Sequence, residues 1–394
     1  MILIRRGEVS RIDGRRPGVT EITVRIGERE EKAISYDLLT GKVEVGDRVV
    51  LNTTAVAKGL GTGGFHFVMC VEGKKVPDPA PEGHIMKMRY TPLQVKVLAV
   101  EEDEHPGSAA YRSAENLGGM PVVVATLHSM LAPVAAAFKH TAGRAARVAY
   151  LMTDGAALPI WISRLVQELR DKSLIDLTVT CGQAFGGDYE AINVYSGLIW
   201  AKAAGTDLAV VSMGPGIVGS ASEFGHTALE QGEIVNAVNI LGGTAIAVPR
   251  VSFAEGRERH YGLSHHTRTA LGKVALTGCT VPVPGWQGEK KSLVERQMRE
   301  SGILDRHRVV VVNTSKVPEI MAAYGLSTTT MGRSIKEDPD FFLAAGAAGI
   351  YAAGLIKPRV DKAPDCRVKT GLGAQDTDQP GYLAGEIDPV SGAV

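Results

Sequence analysis

Apolar runs separated by helical patterns recur along most of the chain after residue 120. The runs are short, rich in Val, Ala and Leu, and begin about thirty residues apart, as in βαβ units. They lie at residues 122–125, 148–152, 177–180, 208–211, 245–248, 274–276 and 309–312. Strands with continuous apolar character belong to parallel sheets that are covered on both faces. The pattern predicts an α/β domain over residues 120–356, with an open, mostly parallel, doubly wound sheet.

An eight-unit α/β barrel is the alternative arrangement of these strands, because strands spaced in this way occur in both folds. The pattern contains no clear eighth strand before the C-terminal region, and this favours the open sheet. Helices are expected over residues 158–171, 189–204 and 339–355. The last of them begins at Asp338-Pro339, a capping residue followed by a proline at the first helical position.

The first hundred residues follow a different pattern, in which short alternating runs are separated by Gly, Asp and Pro. We therefore expect residues 1–100 to form a small, β-rich, barrel-like domain. Residues 101–119 are acidic and then small and polar, which is typical of a linker. Residues 357–394 lack periodicity and predict an irregular C-terminal tail, either an extended arm or a disordered segment.

The amino-acid composition argues against several classes of protein. The 43 basic and 43 acidic residues cancel, which argues against nucleic acid or an anionic membrane as the main partner. Four dispersed cysteines and the lack of a long apolar segment predict a soluble cytoplasmic protein. A homo-oligomer is expected on base rates alone.

A glycine-rich loop follows the predicted strand at residues 208–211. Its backbone N–H groups can form a concave anion-binding nest. The predicted binding residues here are Gly214, Gly216, Gly219 and Ser220. The loop matches GxGxxG, but Gly225 interrupts the expected helix and the next strand ends at Arg250 rather than at an acidic residue. NAD(P) is therefore disfavoured as a cofactor.

The loop after the next strand is crowded with arginine and histidine. Arginine side chains match phosphate and carboxylate groups, and histidine transfers protons near neutral pH. We predict that the anion is held by Arg250, Arg257 and Arg268, near Arg259, and that protons are moved by His260, His265 and His266. Ser264 is expected to cap a helix beginning at His265. The histidine spacing is irregular, unlike HExxH, so no residue is assigned as a metal ligand and a divalent metal stays open.

Three further residues stand directly after predicted strands. Asp154 is the carboxylate best placed to act as a base, and His128 is expected across the cleft from the histidine cluster. Cys181 is expected among the substrate-binding residues. The carboxyl ends of parallel strands meet at one edge, so these side chains are predicted to share that edge.

Together these features predict an enzyme, a hydrolase or transferase, that acts on a small phosphorylated or carboxylated metabolite at the carboxyl edge of the sheet. The alternative is a non-catalytic metabolite-binding or assembly protein that uses the same pocket. In either case the expected partner is a small anionic molecule.

Several long motifs resemble those of a bacterial family classed as a domain of unknown function, DUF3866. They are SMGPGIVGS, GHTALEQGEIVNAVNILGG, PRVSFAEGRERHYGLSHHTRTAL and YDLLTGKVEVGDRVVLNTTAVAKGLGTGGFHFV. The resemblance spans the chain apart from its tail. It implies a bacterial protein in which the same two loops recur, and it supplies no activity, substrate or catalytic residue.

Overall fold

The computed structural model describes residues 2–76 and 78–356, which lie within one compact unit. The tail predicted over residues 357–394 lies outside the described residues. The chain forms a closed five-stranded barrel followed by an eight-stranded parallel sheet with helices on both faces. The predicted α/β class with an N-terminal β-barrel is therefore confirmed.

The barrel has the strand order β1–β2–β3–β5–β4, and all of its strand pairs are antiparallel except β3 with β5. Its strands are β1 (Ile4–Arg16), β2 (Val19–Ile26), β3 (Arg29–Tyr36), β4 (Arg48–Asn52) and β5 (His66–Val71), and the connections carry the short helices α1 (Asp37–Thr40) and α2 (Thr54–Ala57). Alternating aliphatic residues such as Val9, Ile22 and Leu51 fill the interior. The apolar residues of the alternating sequence pattern therefore form the core of the barrel.

A small antiparallel hairpin, β6 (Ile85–Lys87) and β7 (Val95–Val97), connects the barrel to the rest of the chain. The segment 101–119 that follows contains helix α3 (Ser108–Ser113). Leu117 of this segment is fully buried in the core of the following α/β region. The domain boundaries at residues 100 and 119 stay predictions.

The large sheet has the order β11–β10–β9–β12–β8–β13–β16–β17, and every neighbouring pair is parallel. Its strands are β8 (Pro121–Val124), β9 (Val148–Thr153), β10 (Leu177–Cys181), β11 (Tyr189–Ala191), β12 (Leu208–Met213), β13 (Thr244–Ala247), β16 (Thr280–Pro284) and β17 (Arg308–Val312). A separate antiparallel pair, β14 (Val251–Ser252) with β15 (Gly262–Leu263), follows β13. The sheet is open, as predicted, and not an eight-unit barrel.

Helices cover both faces of this sheet. They are α4 (Leu131–Ala142), α5 (Arg164–Asp171), α6 (Val194–Ala203), α7 (Glu230–Ile240), α8 (His265–Thr269), α9 (Gly288–Glu300), α10 (Ile303–Arg306), α11 (Val317–Ala323) and α12 (Pro339–Ala353). One core lies between the sheet and α4, α5, α11 and α12, and a second lies between the opposite face and α6, α7 and α9. Within the described residues, no helix combines the length and the apolar character needed to cross a membrane.

The central strand β8 marks a change of direction in the sheet. The chain leaves β8 toward the face covered by α4, whereas it leaves the neighbouring strands β12 and β13 toward the opposite face, which is covered by α7. Loops that diverge in this way leave a crevice at the carboxyl ends of the strands. The fold therefore places a cleft beyond the ends of β8, β12 and β13.

One predicted strand is wrong. Val274 ends a π-helical turn, Ala270–Val274, that continues from α8, and residues 275–276 follow this turn. The strand of this unit is β16, Thr280–Pro284. Leu276 is 83% exposed, which no interior strand of a covered parallel sheet would allow. A three-residue apolar run does not distinguish a strand from the end of a helix.

Two predicted helices begin later than expected because polar residues cap them. The Asn193 side chain accepts a hydrogen bond from the Ser196 N–H at 3.1 Å, so α6 begins at Val194 and the preceding residues form β11. The Ser163 hydroxyl accepts from the Val166 N–H at 3.0 Å, so α5 begins at Arg164. In both cases the cap satisfies a backbone donor that the first turn leaves without a partner.

Helices α4 and α12 approach each other closely at Gly349. A Cβ atom there would lie 2.3 Å from the Val134 carbonyl oxygen and 3.0 Å from the Phe138 nitrogen. We expect Gly349→Ala to lower the free energy of unfolding by about 1 to 3 kcal/mol, because overpacking outweighs the better helix propensity of alanine. Urea denaturation measures this. Gly61→Ala is the control, since its Cβ meets nothing within 4 Å, and equal stability of the two variants would contradict the expectation.

Candidate functional site

The crevice at the ends of β8, β12 and β13 holds a cavity of about 820 Å³. Five segments line it: residues 127–129 after β8, residues 213–220 after β12, the arginine- and histidine-rich segment after β13, the start of α5, and residues 327–331 before α12. A pocket of this size accommodates a small metabolite. Its position is the one that the strand order dictates for a ligand in an open parallel sheet.

The glycine-rich loop after β12 forms one wall of the cavity. Gly216 has a φ of +95°, a backbone conformation that favours glycine. The loop then folds back on itself, because the Ser220 N–H donates to the Gly225 carbonyl at 2.7 Å and the Thr227 N–H donates to the Val218 carbonyl at 2.9 Å. A Cβ atom at Gly219 would lie 2.8 Å from the Cβ of His226. The glycines therefore bring His226 close to the cavity wall.

Arg250 is the buried cation of the site. Its side chain is 5% exposed, its Nη1 atom lies 3.3 Å from His266 Nδ1, and its Nη2 atom lies 3.7 Å from a carboxylate oxygen of Glu255. Burial lowers the pKa of Arg250 to about 10, and the nearby Arg257 contributes to this shift. The guanidinium group therefore stays charged at neutral pH.

Glu255 balances part of the positive charge. Its carboxylate accepts hydrogen bonds from Arg257 Nε at 3.0 Å and Arg257 Nη2 at 2.8 Å, and Arg333 lies 3.6 Å away. The hydrogen bonds from Arg257 lower the pKa of Glu255 to about 2. Arg259 also lines the cavity, and no carboxylate of residues 2–76 or 78–356 forms an ion pair with it. The cleft thus has an excess of positive charge that favours an anion.

Four histidines meet beside the cavity. The ring centroid of His266 lies 4.2 Å from that of His226, 4.4 Å from that of His265 and 4.8 Å from that of His260. His260 and His266 line the cavity itself. The ligand atoms of His226, His265 and His266 lie within 4.8 Å of one another, close enough to hold a metal ion.

The local sequence explains how His260, His265 and His266 come together. Strand β14 pairs with β15, and this pairing brings the two ends of the segment 251–263 together. The tip of the segment contains Arg257, Arg259 and His260. Ser264 caps α8 by accepting from the His266 N–H, as predicted, and its hydroxyl also contacts His260 Nδ1 at 2.7 Å. Adjacent positions at the start of this helix carry His265 and His266.

These imidazoles are neutral at physiological pH. Burial is the main cause, and the neighbouring arginines and histidines add to it. The pKa is lowered to about 3 for His260, to about 4 for His265 and to about 2 for His266. The pKa of His226 is lowered as well, again by burial. A neutral imidazole accepts a proton or binds a metal, so the cluster is chemically competent for either role.

His128 lies at the cavity wall but both of its ring nitrogens have partners. Nε2 lies 2.6 Å from the Ser163 hydroxyl, and Nδ1 lies 3.1 Å from the Tyr150 hydroxyl. Burial lowers the pKa of His128 to about 4. These contacts connect the end of β8 to β9 and to the cap of α5.

Four of the predicted residues do not line the cavity: Asp154, Cys181, Arg268 and His265. Asp154 is exposed at the end of β9 and accepts a hydrogen bond from the Gln183 N–H at 2.8 Å. Cys181 is buried beneath α6, and burial raises the pKa of its thiol to about 12. Arg268 faces Glu300 at 3.7 Å on the outer side of α8. The cavity is lined by the predicted residues His128, His260, His266, Gly214, Gly216, Gly219, Ser220, Arg250 and Arg257, and His265 lies directly beside it.

Sequence reasoning missed two features of the site. His226 follows Gly225 in a segment without periodicity, and only the backbone pairing of Gly219 with His226 reveals its place. The polar segment Ser327-Thr328-Thr329-Thr330 lines the opposite wall, and the buried Thr328 hydroxyl has no hydrogen-bond partner among the described residues. The run of Ser and Thr residues before the cap of α12 is the sequence feature that could have indicated this wall of the cavity.

Comparison with known proteins shows the family to which the chain belongs. Among curated proteins, none matches the chain. A solved structure described as a fructose-1,6-biphosphate aldolase from Coccidioides immitis is 14% identical, with 64% of this chain and 94% of that chain covered. Its TM-score of 0.17 is too low to support any argument. A family model described as a protein of unknown function (DUF3866) matches residues 32–349, so the chain belongs to the DUF3866 family, as its loop motifs indicated.

Proposed function

We propose that the cleft binds a small phosphorylated or carboxylated metabolite, and that the protein is a hydrolase or transferase that acts on it. The observation that carries this proposal is the convergence of Arg250, Arg257 and Arg259 on one cavity beside neutral histidines. Arginine forms paired, charge-assisted hydrogen bonds with phosphate and carboxylate oxygens. The glycine loop and the hydroxyls of residues 327–330 add neutral donors around the same volume.

The histidines provide the proton chemistry of the proposed reaction. His260 and His266 are neutral because burial and the arginines disfavour imidazolium. A bound anion offsets the arginine charges and adds negative charge nearby, so it raises the pKa of both rings. That shift brings their pKa closer to the operating pH, where general acid and base catalysis is most effective.

The dinucleotide alternative receives no support from the geometry of the glycine loop. Residues 218–220 pair back with residues 225–227 instead of opening a helix directly, and the next α-helix in the chain, α7, begins at Glu230 after a 3-10 turn. A dinucleotide fingerprint needs the helix N-terminus immediately after the loop to hold the pyrophosphate. Hydrolysis or group transfer therefore remains the better proposal.

A thermal-shift panel tests the binding part of the proposal. Nucleotides, sugar phosphates, coenzyme A and organic acids are added singly, each with and without Mg²⁺, Mn²⁺ and Zn²⁺. A ligand present at a hundred times its Kd adds about 2.7 kcal/mol to the free energy of unfolding and raises Tm by a few degrees. A panel without any stabilising anion would contradict the proposal.

Arg259→Gln tests whether the anion lies in the cleft. The variant removes a charged donor that no carboxylate of the described chain neutralises, so we expect the best anionic hit to bind about 10- to 150-fold more weakly. Isothermal titration calorimetry measures the change. Arg29→Gln, on the exposed surface of the barrel, is the control and should bind normally. Equal affinities for both variants would place the anion elsewhere.

Turnover separates the enzyme from the binding-protein alternative. A ligand from the panel could bind through Arg259 without ever being converted, with the same affinity for the His266→Gln variant. That result would favour a non-catalytic metabolite-binding protein over an enzyme. Conversion of the hit, with a fall in kcat for His266→Gln, supports the enzyme.

A further inference from the structure

His226, His265 and His266 converge from two separate loops on one small volume. His226 follows the glycine loop after β12, whereas the other two begin α8 after β15. Their ring centroids lie 4.2 to 5.2 Å apart, and one nitrogen of each ring lies within 4.8 Å of the others. Three imidazoles so close together are not explained by apolar packing, since each ring carries polar nitrogens.

Several of these nitrogens are buried without a partner. His226 is 6% exposed, and within the described residues its ring nitrogens form no hydrogen bond of good geometry. The Glu223 backbone lies near enough only to oppose the fall in the His226 pKa that burial causes. The Nε2 atom of His265 is also buried, and none of the described residues is its hydrogen-bond partner. A buried polar group without a partner destabilises the fold unless something else satisfies it. The cluster therefore has the features of a site prepared for a ligand that accepts nitrogen lone pairs.

We propose that His226, His265 and His266 bind one divalent transition-metal ion, and that Zn²⁺ is the metal they fit best. Three histidine nitrogens with an open fourth position are the ligand set of many catalytic zinc sites. Imidazole ligands favour zinc and its neighbours over Mg²⁺ and Ca²⁺, which prefer oxygen. The neutral state of the rings, caused by burial, is the state that binds a metal.

The three histidine nitrogens must move closer together to hold the ion. Two nitrogens on a tetrahedral zinc ion lie roughly 3.3 Å apart, given metal–nitrogen distances of about 2.0 to 2.1 Å. The histidine nitrogens, up to 4.8 Å apart, must therefore approach by about an ångström or more, which rotation of the side chains supplies.

Arg250 is the group that competes with the metal. Its Nη1 atom lies 3.3 Å from His266 Nδ1, and its charge repels a cation. Ligation through His266 requires that this long contact be given up, and it occupies a nitrogen of His266. In the metal-bound protein the proton transfer proposed above therefore falls to His260, which also lines the cavity. Since Arg250 also lines the cavity, an anion in the cleft provides it with another partner. His266 lines the same cavity, so the fourth metal position would face the anion-binding cleft, where a zinc-bound water has a pKa near 7.

The test uses metal alone and so does not depend on the proposed function. The full-length protein is freed of metal by dialysis against EDTA and titrated with Zn²⁺ by calorimetry. We expect one ion per chain with a Kd of about 1 μM or tighter. Co²⁺ titration should give the intense visible absorption of a four-coordinate site, which weak binding to surface side chains does not produce.

Single variants identify the ligands. His226→Gln, His265→Gln and His266→Gln should each weaken Zn²⁺ binding at least about 100-fold and abolish the Co²⁺ spectrum, because each removes one of three ligands. His140→Gln, an exposed histidine at the end of α4, is the control and should bind normally. Circular dichroism and Tm in EDTA establish that each variant is folded. Absence of stoichiometric binding in the wild-type protein, or unchanged affinity in folded His226→Gln, would overturn the proposal.

Discussion

Replacing Lys87 by methionine is expected to lower the free energy of unfolding by about 3 to 5 kcal/mol, because it leaves a buried carboxylate without its counter-charge. Lys87 is 1% exposed. Its Nζ atom donates to the Thr180 carbonyl at 2.8 Å, the Ala184 carbonyl at 2.6 Å and Glu190 Oε2 at 2.7 Å. All three ammonium donors are thus used, and three acceptors lose their partner in the variant.

Glu190 decides how large this effect is. Burial raises the pKa of Glu190, and the Lys87 ammonium opposes that rise. The double variant Lys87→Met with Glu190→Gln removes both charges, so it should be less destabilised than the sum of the single variants by at least about 1 kcal/mol. Urea denaturation of the singles and the double measures this coupling. Lys202→Met, on the exposed side of α6, is the control, and a loss no larger than that of the control would refute the expectation.

Glu230→Gln is expected to stabilise the protein by about 3 kcal/mol at pH 8 and by less than about 1 kcal/mol at pH 5. The pKa of Glu230 is raised from 4.5 to about 7, chiefly by burial and further by the nearby carboxylates of Asp154 and Glu233. In the unfolded chain the group ionises near its ordinary pKa. Folding therefore costs nothing below pH 4.5, and the cost grows as the pH rises and is complete above pH 7.

The substitution is a fair test because glutamine resembles the protonated acid. The Thr153 hydroxyl donates to Glu230 Oε1 at 2.7 Å, and an amide oxygen accepts the same bond. Urea denaturation of both proteins at the two pH values gives the difference, in which the titration of groups that do not interact with Glu230 cancels. Glu289→Gln, at the exposed start of α9, is the control. A stabilisation by Glu230→Gln that is equal at pH 5 and pH 8 would contradict the assigned pKa.

Much of the fold is predictable from the sequence because burial on both faces imposes a simple pattern. Six of the seven predicted strands after residue 120 lie on β8, β9, β10, β12, β13 and β17, which are short runs dominated by apolar residues, mainly Val, Ala and Leu. The strand at residues 274–276 fails because the same residue types also end a helix. Strand β11 was missed since Tyr189–Ala191 is short and precedes a helix of similar composition.

The order of the strands along the sheet could not be predicted from the sequence, and this order determines which loops form the site. The parallel edge predicts that the loops share one rim, but only the order β9–β12–β8–β13 tells which loops adjoin the crevice. Asp154 follows β9 and Cys181 ends β10, strands that lie farther from it, so neither residue lines the cavity. His226 and Lys87 were missed because their importance comes from contacts far along the chain.

The contact between the barrel and the start of α5 bears on how the chain can be shortened. Arg16 of β1 donates to the Trp161 carbonyl at 2.9 Å, and a Cβ atom at Gly18 would lie 2.6 Å from the Trp161 ring. Arg164 lines the cavity and also binds Glu21 of β2. A fragment that starts at residue 120 would uncover Trp161 and separate Arg164 from Glu21, so its cleft would carry more positive charge than that of the intact chain.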